Sequence, residues 1–184
     1  LIPRADQDLF IVKLLSDGSH EWSDHYARSG KVISATILID RSNNILVTGS
    51  FTGNLAFGRH RLQSSSEAIS VFFAKFNGNG VSIWAFKFGG SLDCYGYAIA
   101  LDNSNNILLC GSYKGTINFG NSDLPFVTND SAYIVKFSDR GPVILELWSK
   151  PLASTLVCIA TTIVTYVNNN VVIGGTFTGS INYD

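Results

Sequence analysis

NILVTGSFTGNLAFG at Asn44–Gly58, NILLCGSYKGTINFG at Asn106–Gly120 and NVVIGGTFTGSINYD at Asn170–Asp184 are three copies of one pattern. Asn44 to Asn106 is 62 residues and Asn106 to Asn170 is 64. Each copy holds a glycine stretch: GSFTG at Gly49–Gly53, GSYKG at Gly111–Gly115 and GTFTG at Gly175–Gly179. Such a stretch is a phosphate cradle, a strained nucleophile turn, or the punctuation of a repeat. A phosphate loop needs GxxxxGK[ST] leading into a helix. A nucleophile elbow needs GxSxG. Here the serine follows the first glycine directly, at Gly49-Ser50 and Gly111-Ser112, and a strand pattern follows each stretch. A catalytic loop is needed once, whereas a structural turn is needed in every repeat. The stretches read as hairpin punctuation.

Working outward, two more patterns recur in fixed order. DLFIVKLLSDGSHEW (Asp8–Trp22), SVFFAKFNGNGVSIW (Ser70–Trp84) and SAYIVKFSDRGPVIL (Ser131–Leu145) each carry a lysine, Lys13, Lys75 or Lys136. Gly18, Gly80 or Gly141 follows it five positions on, and Trp22, Trp84 or Leu145 closes the pattern, with Trp148 late in the third copy. Before each glycine stretch stands ATILIDRSNN (Ala35–Asn44), AIALDNSNN (Ala98–Asn106) or TIVTYVNNN (Thr162–Asn170), the last with Tyr166 where Asp40 and Asp102 stand. The repeat units run over residues 8–30 (half), 32–90, 94–150 and 156–184 (half).

The segments are short, rich in Ile, Val, Phe and Tyr, and bounded by Asn, Gly, Asp and Ser, which is the signature of strands joined by tight turns. Gly18, Gly80 and Gly141 sit where a turn needs positive φ. Along Ile83–Phe88, Trp84, Phe86 and Phe88 share one face and Ile83, Ala85 and Lys87 the other, so both faces are largely apolar, as in a sheet packed between two others. No segment shows helical periodicity. An all-β chain is expected, built of β-propeller blades of about four antiparallel strands. Half plus two plus half makes three blade equivalents, below the roughly four to eight that close a ring. An incomplete or oligomer-completed propeller is expected.

These patterns resemble the SBBP-type β-propeller repeat family, over residues 8–184 and in three registers. The departures are Tyr166 for the turn aspartate, Leu145 for the tryptophan, and excursions of varying sequence at His60–Ile69 and Asn121–Asp130. The resemblance implies a repeat module of large, surface-exposed or secreted proteins, with no shared active site to carry over. An extracellular or cell-surface location is the corresponding expectation.

Bulk properties narrow the classes further. The chain has 184 residues, a formal net charge of −1 and 15% charged residues, against about 25% in ordinary soluble domains. Its pI is ≈ 6.3 and its mean hydropathy +0.20. A nucleic-acid binder shows a basic face, so no nucleic-acid partner is expected. No apolar run approaches the ~18 residues of a membrane helix, so no membrane insertion is expected. Cys94, Cys110 and Cys158 are odd in number without CxxC spacing, and read as buried free thiols. Cys94 and Cys158 hold equivalent positions, where the first unit has Val32.

Other candidates are each matched by a plainer reading. HEWSDH offers His20, Glu21, Asp24 and His25 for a metal, but the i, i+5 spacing suits one metal poorly, and a solvated loop between blades is expected. Lys13, Lys75 and Lys136 suggest an anion-binding ring, yet read as strand residues with heads in water. Asp40 and Asp102 with Asn43 and Asn105 suggest Ca²⁺, yet Asx-turn capping accounts for them. Asn129-Asp130-Ser131 is a glycosylation sequon. Phe51, Tyr113 and Phe177, beside polar turns, are the candidate ligand or partner contacts. No catalytic residue, cofactor or metal site is expected. The reading is a non-enzymatic interaction scaffold, whose partners are other protein subunits or further blades of the same polypeptide. The alternatives are a carbohydrate-binding propeller taking glycans on those three rings, and an enzyme with a central-channel site.

Overall fold

A computed structural model describes residues 7–26, 29–64, 68–90, 92–152 and 154–181. The opening stretch 1–6, residues 27–28 of the first half-unit, 65–67 of the first excursion, and 182–184 closing the third copy lie outside the described residues, as do the single positions 91 and 153. Among those described there is no α-helix. The first pair of strands is β1 (Leu9–Leu14) and β2 (His20–Tyr26). Next come β3 (Val32–Ile39), β4 (Ile45–Phe51), a small hairpin of β5 (Asn54–Phe57) and β6 (His60–Gln63), then β7 (Ser70–Phe76) and β8 (Ser82–Phe88). They are followed by β9 (Cys94–Leu101), β10 (Ile107–Gly115), β11 (Val127–Asp139) and β12 (Ile144–Leu152). The last pair is β13 (Val157–Thr165) and β14 (Val171–Thr178), with a 3₁₀ turn at Val167–Asn169 between them. Among the described residues no helix is long and apolar enough to cross a membrane.

All strand pairings between these elements are antiparallel. They form sheets of two strands (β1-β2), four (β3-β4-β7-β8), four (β9-β10-β11-β12) and two (β13-β14), with β5-β6 as a separate hairpin. In a strand, successive side chains point to opposite faces. In β4, Leu46 goes to the core shared with the β9–β12 sheet, while Ile45 and Val47 go to the core shared with β1-β2. β7 divides in the same way: Val71 and Phe73 to one side, Phe72 and Ala74 to the other. A third core, with Leu108, Cys110, Ile134 and Cys158, joins the β9–β12 sheet to β13-β14. The sheets therefore pack face to face, which is why the four-stranded ones are apolar on both faces and carry little charge. β4 and β7 are buried along their whole length.

The glycine stretches are only partly turns, which corrects the hairpin reading. Their first glycine lies inside a strand. A Cβ at Gly49 would overlap the Ser34 carbonyl oxygen, at Gly111 that of Tyr95, and at Gly175 that of Ile159. In each case the neighbouring strand slips register beside this glycine, between Val32 and Ser34, opposite Gly111, and between Ala160 and Thr162. The bulge pushes a carbonyl over the glycine Cα, so no side chain fits. Only the last glycine of each stretch turns the chain, with φ of 71°, 70° and 81° at Gly53, Gly115 and Gly179.

The tryptophan departure also resolves. Lys13 pairs with Trp22, Lys75 with Trp84 and Lys136 with Trp148, not Leu145. The third hairpin is longer because its ladder extends through Ser138↔Leu145 and Asp139↔Ile144 at the end of β11 and the start of β12, so the pairing still sets lysine opposite tryptophan. The excursions are not wholly exposed either. Leu62 from the first and Leu124 from the second are buried in the cores, beside Leu55, Phe57, Ile117 and Phe119 of the preceding glycine copies.

Candidate functional site

The strongest polar constellation lies at the turn between the first two strands of each four-stranded sheet. Asp40 ends β3. Its Oδ1 accepts the backbone N–H groups of Ser42 and Asn44, both at 2.8 Å, and its Oδ2 accepts the Asn44 side-chain amide at 2.9 Å. Asn43 takes the left-handed conformation that this Asx turn requires (φ 60°). Lys75, on β7 two strands away, brings its Nζ to 2.7 Å from Asp40 Oδ2. Asp102 repeats the arrangement. It accepts Ser104 N and Asn106 N at 2.8 Å, and Lys136 Nζ at 2.7 Å, with Asn105 at φ 62°. Burial pushes both carboxyls up. The lysine ammonium, the asparagine amide and the backbone N–H groups outweigh it, and hold Asp40 and Asp102 below the usual carboxylate value.

This geometry corrects the expectation that the lysine heads lie in water. Lys75 and Lys136 are drawn onto carboxylates because a strand flanked by two packed sheets leaves an ammonium no other way to keep its charge. Lys75 also reaches Asp139 of the next sheet, at 2.5 Å. Burial pulls its ammonium down, but the two carboxylates prevail and raise it. At the corresponding place Lys13 Nζ donates to the Gly78 carbonyl at 3.1 Å. Lys13 and Lys75 thus tie their sheets to the next one, while the Lys136–Asp102 pair lies within a single sheet. Further ties recur beside them: Arg41 N to Asn105 Oδ1, Asn103 N to Asn169 Oδ1, and Thr165 Oγ1 to Leu101 O. The Asx turn and the lysine ligand occupy the aspartate oxygens that the Ca²⁺ alternative would need.

The remaining candidates fall as follows. Phe51 and Tyr113 are fully buried. Phe51 stacks edge-on to Phe72, and Tyr113 Oη donates to the Pro125 carbonyl at 3.0 Å. Neither ring offers a face to a sugar, which corrects their assignment as ligand contacts: mid-sheet strands bury the residue two positions past the bulge glycine. Phe177, the third of the set, is exposed. Asn129 is exposed near the start of β11. HEWSDH lies on strand β2 rather than in a loop. Its alternation separates the two histidines: His20 Nε2 meets Ser23 Oγ at 3.0 Å, while His25 faces Asp8 at 4.0 Å. Among the described residues no group of three or more His, Cys, Asp or Glu is placed to hold a metal. The three cysteines are buried free thiols, and burial pushes Cys94 up to about 11 and Cys110 to about 12.

What is open lies at the two outer sheets. One groove, ≈ 620 Å³, runs between the free edge of β1 and the face of β3, with Val47 at its floor. The other, ≈ 520 Å³, runs between the free edge of β14 and Ala132 and Leu152 of the β9–β12 sheet. The Asp–Lys pairing was missed by residue-by-residue reading, although its signal was present. Asp40 and Lys75 are 35 residues apart, Asp102 and Lys136 are 34 apart, and the two residues recur together.

No protein-family model matches the chain. An uncharacterised WD repeat-containing protein of Acanthamoeba polyphaga mimivirus is similar to it, 27% identical over 147 residues. The similarity covers 71% of this chain and 10% of that protein, so the chain matches only about a tenth of the relative's length.

Proposed function

We propose that the chain is a stretch of β-propeller blades acting as a non-enzymatic protein-interaction scaffold. The observation that carries this reading is the use made of the polar framework. Asp40 with Lys75 and Asp102 with Lys136 hold the turns of their own sheets, and Lys75 with Asp139 ties one sheet to the next. Chemistry that recurs in both four-stranded sheets is scaffold chemistry. The similarity to a WD repeat-containing protein supports the propeller arrangement of these sheets. The excursions supply what differs between units, with Arg61 exposed on β6 and Phe126 exposed ahead of β11. These exposed positions are where a partner protein reads one unit from another.

The test is site-specific photo-crosslinking. A photoreactive residue at position 61 or 126 should capture a partner protein, and one at Val47, inside the core, should capture none. Equal capture from all three positions overturns the reading, as does turnover of a substrate that survives Lys75→Met and Lys136→Met in a folded chain but is lost on altering one unrepeated residue.

A further inference from the structure

We propose that the hairpin of β5 and β6 is a docking point for an acidic segment of a partner protein, whose carboxylates are held by the guanidinium groups of Arg59 and Arg61. This rests on the interaction-scaffold reading above and names the chemistry of the partner met at position 61.

The hairpin is a firm base for two cations. Phe57 pairs with His60, so Gly58 and Arg59 alone make the turn. Gly58 has φ 59°, and nothing lies within 4 Å of where its Cβ would stand, so the tip projects into open space. The strands beneath it are anchored, because Leu55, Phe57 and Leu62 are buried in the core that also holds Phe72 and Phe76. Along β6 the side chains alternate, with His60 and Leu62 turned inward and Arg61 and Gln63 outward. His60 Nδ1 meets Ser82 Oγ of β8 at 2.6 Å, which fastens the hairpin to the last strand of its sheet. Arg59 and Arg61 are both exposed. Their backbone is already ordered, so a partner bound there pays less entropy than at a loose loop.

Three observations point to an anionic partner. First, the charge is unanswered. Lys13, Lys75, Lys114 and Lys136 each meet a carboxylate. Among the described residues neither Arg59 nor Arg61 does, and the residue paired across from Arg61 is Ala56. Second, His60 stands between the two arginines. Burial and then the Arg59 charge pull its imidazole below the usual value, so positive charge at the tip acts on its neighbours without an acid to offset it.

The third observation comes from the repeat. Gly58 matches Gly120, so the second unit has Asn121, Ser122 and Asp123 where the first has Arg59, His60 and Arg61. Those residues bond within their own unit: Asn121 N donates to Glu146 Oε2 at 2.7 Å, and the Asn118 side-chain amide to Asp123 Oδ1 at 2.9 Å. The framework therefore has no need of cations at this turn. Like charges crowded there repel, and a local arrangement that costs stability without a gain inside the chain marks a functional place.

The side chains select the occupant. A guanidinium offers a planar fork of donors that matches a carboxylate. Acids two residues apart on an extended segment stand about 6.6 Å apart, a span that two arginines set two residues apart can meet. A nucleic acid calls for a longer basic track. Here the cations stop at one hairpin in a chain of net charge −1.

The experiment is fluorescence anisotropy with the full chain and a labelled peptide of alternating glutamate and serine. The unaltered chain should bind it, and more weakly as salt rises. Arg59→Gln with Arg61→Gln should weaken binding by at least about tenfold, and Arg59→Lys with Arg61→Lys by less, since an ammonium keeps the charge and loses the fork. Lys150→Gln, at an exposed cation of β12, should leave binding unchanged. Amide exchange in β4 and β7 should stay as slow in every variant as in the unaltered chain, because neither arginine touches the core. No binding by the unaltered chain overturns the proposal. So does an equal loss from Lys150→Gln, or equal binding of a glutamine–serine peptide or of single-stranded DNA. Crosslinking from position 126 separates the two readings. A partner captured there while the glutamate peptide does not bind removes the acidic segment and leaves the scaffold standing, whereas no capture and no binding removes both.

Discussion

Strands β10 and β14 carry the same pattern in different surroundings. ILLCGSYKG in β10 is buried at every position but Lys114, while VVIGGTFT in β14 has no buried residue. Both place a glycine beneath a neighbouring bulge and an aromatic residue two positions on. The difference is made by what lies beside them. β10 is paired on both edges, and β14 on one. A local pattern therefore fixes the strand and its bulge, whereas burial is conferred by the next strand pair.

This contrast can be broken from its strongest point downward. Phe72→Ala removes a ring with no exposed surface, and about 3–5 kcal/mol of stability should go with it. Phe10→Ala, at the matching position of β1, should change the unfolding free energy of a single copy by no more than about 0.5 kcal/mol. Chemical denaturation of both variants at low protein concentration reads the difference, and equal losses would dissolve the distinction between four-stranded and two-stranded sheets.

The lysines give the next largest contrast. Lys75→Met leaves the carboxylates of Asp40 and Asp139 buried without their cation, at a cost of about 3 kcal/mol or more. Lys13→Met breaks an exposed pair with Glu21 and a hydrogen bond to the Gly78 carbonyl but leaves no buried charge unpaired, so it should cost about 1 kcal/mol, well below the Lys75 loss. The double variant Lys75→Met with Asp40→Asn should recover part of the loss, because it removes charge from both sides of the pair.

Stability should then depend on pH through the same groups. Asp40 and Asp102 are depressed below 3.8 in the folded chain, so between the folded and unfolded values the unfolded chain binds more protons. Their contribution is whole above that unfolded value and is lost as pH falls through the folded one. Lys75 is raised above 10.5, so its contribution is whole below that value and is lost as pH rises through its folded value. Unfolding free energies measured from about pH 2 to 11 should fall at both limits, and Asp40→Asn with Asp102→Asn should flatten the acid limb. An unchanged acid limb would mean that other carboxyls govern it.

The smallest effect is kinetic. Cys94 and Cys158 hold equivalent places in β9 and β13, one in a four-stranded sheet and one in a two-stranded sheet. In dilute chain, a thiol reagent should modify Cys158 faster than Cys94 by at least about tenfold, since a sheet with one pairing opens at lower free energy. Equal rates would place both sheets in one cooperative unit.

Much of this was legible before any coordinates. Short apolar segments bounded by Asn and Gly announced antiparallel strands, and the apolar character of both faces along Ile83–Phe88 announced sheets packed on two sides. The candidate sites were less legible, because each residue was judged alone. Phe51 and Tyr113 looked like surface aromatics beside polar turns, and they are buried because β4 and β10 are paired on both edges and covered by neighbouring sheets. Trp148 looked displaced, because spacing counts residues while pairing counts partners, and a ladder extended toward the turn changes the first without changing the second.

The sequence by itself determined the order of strands, the repeat, and the residues for which turn and bulge leave no choice: Asn43, Asn105, Gly49, Gly111 and Gly175. Those are local constraints of φ, ψ and van der Waals contact, which a few neighbouring residues settle. Tertiary structure alone decided which charge meets which, which aromatic is covered, and which edge stays open. These depend on groups about 35 to 65 residues apart, brought together only when sheet packs on sheet and the desolvated ammonium of Lys75 must find Asp40 and Asp139.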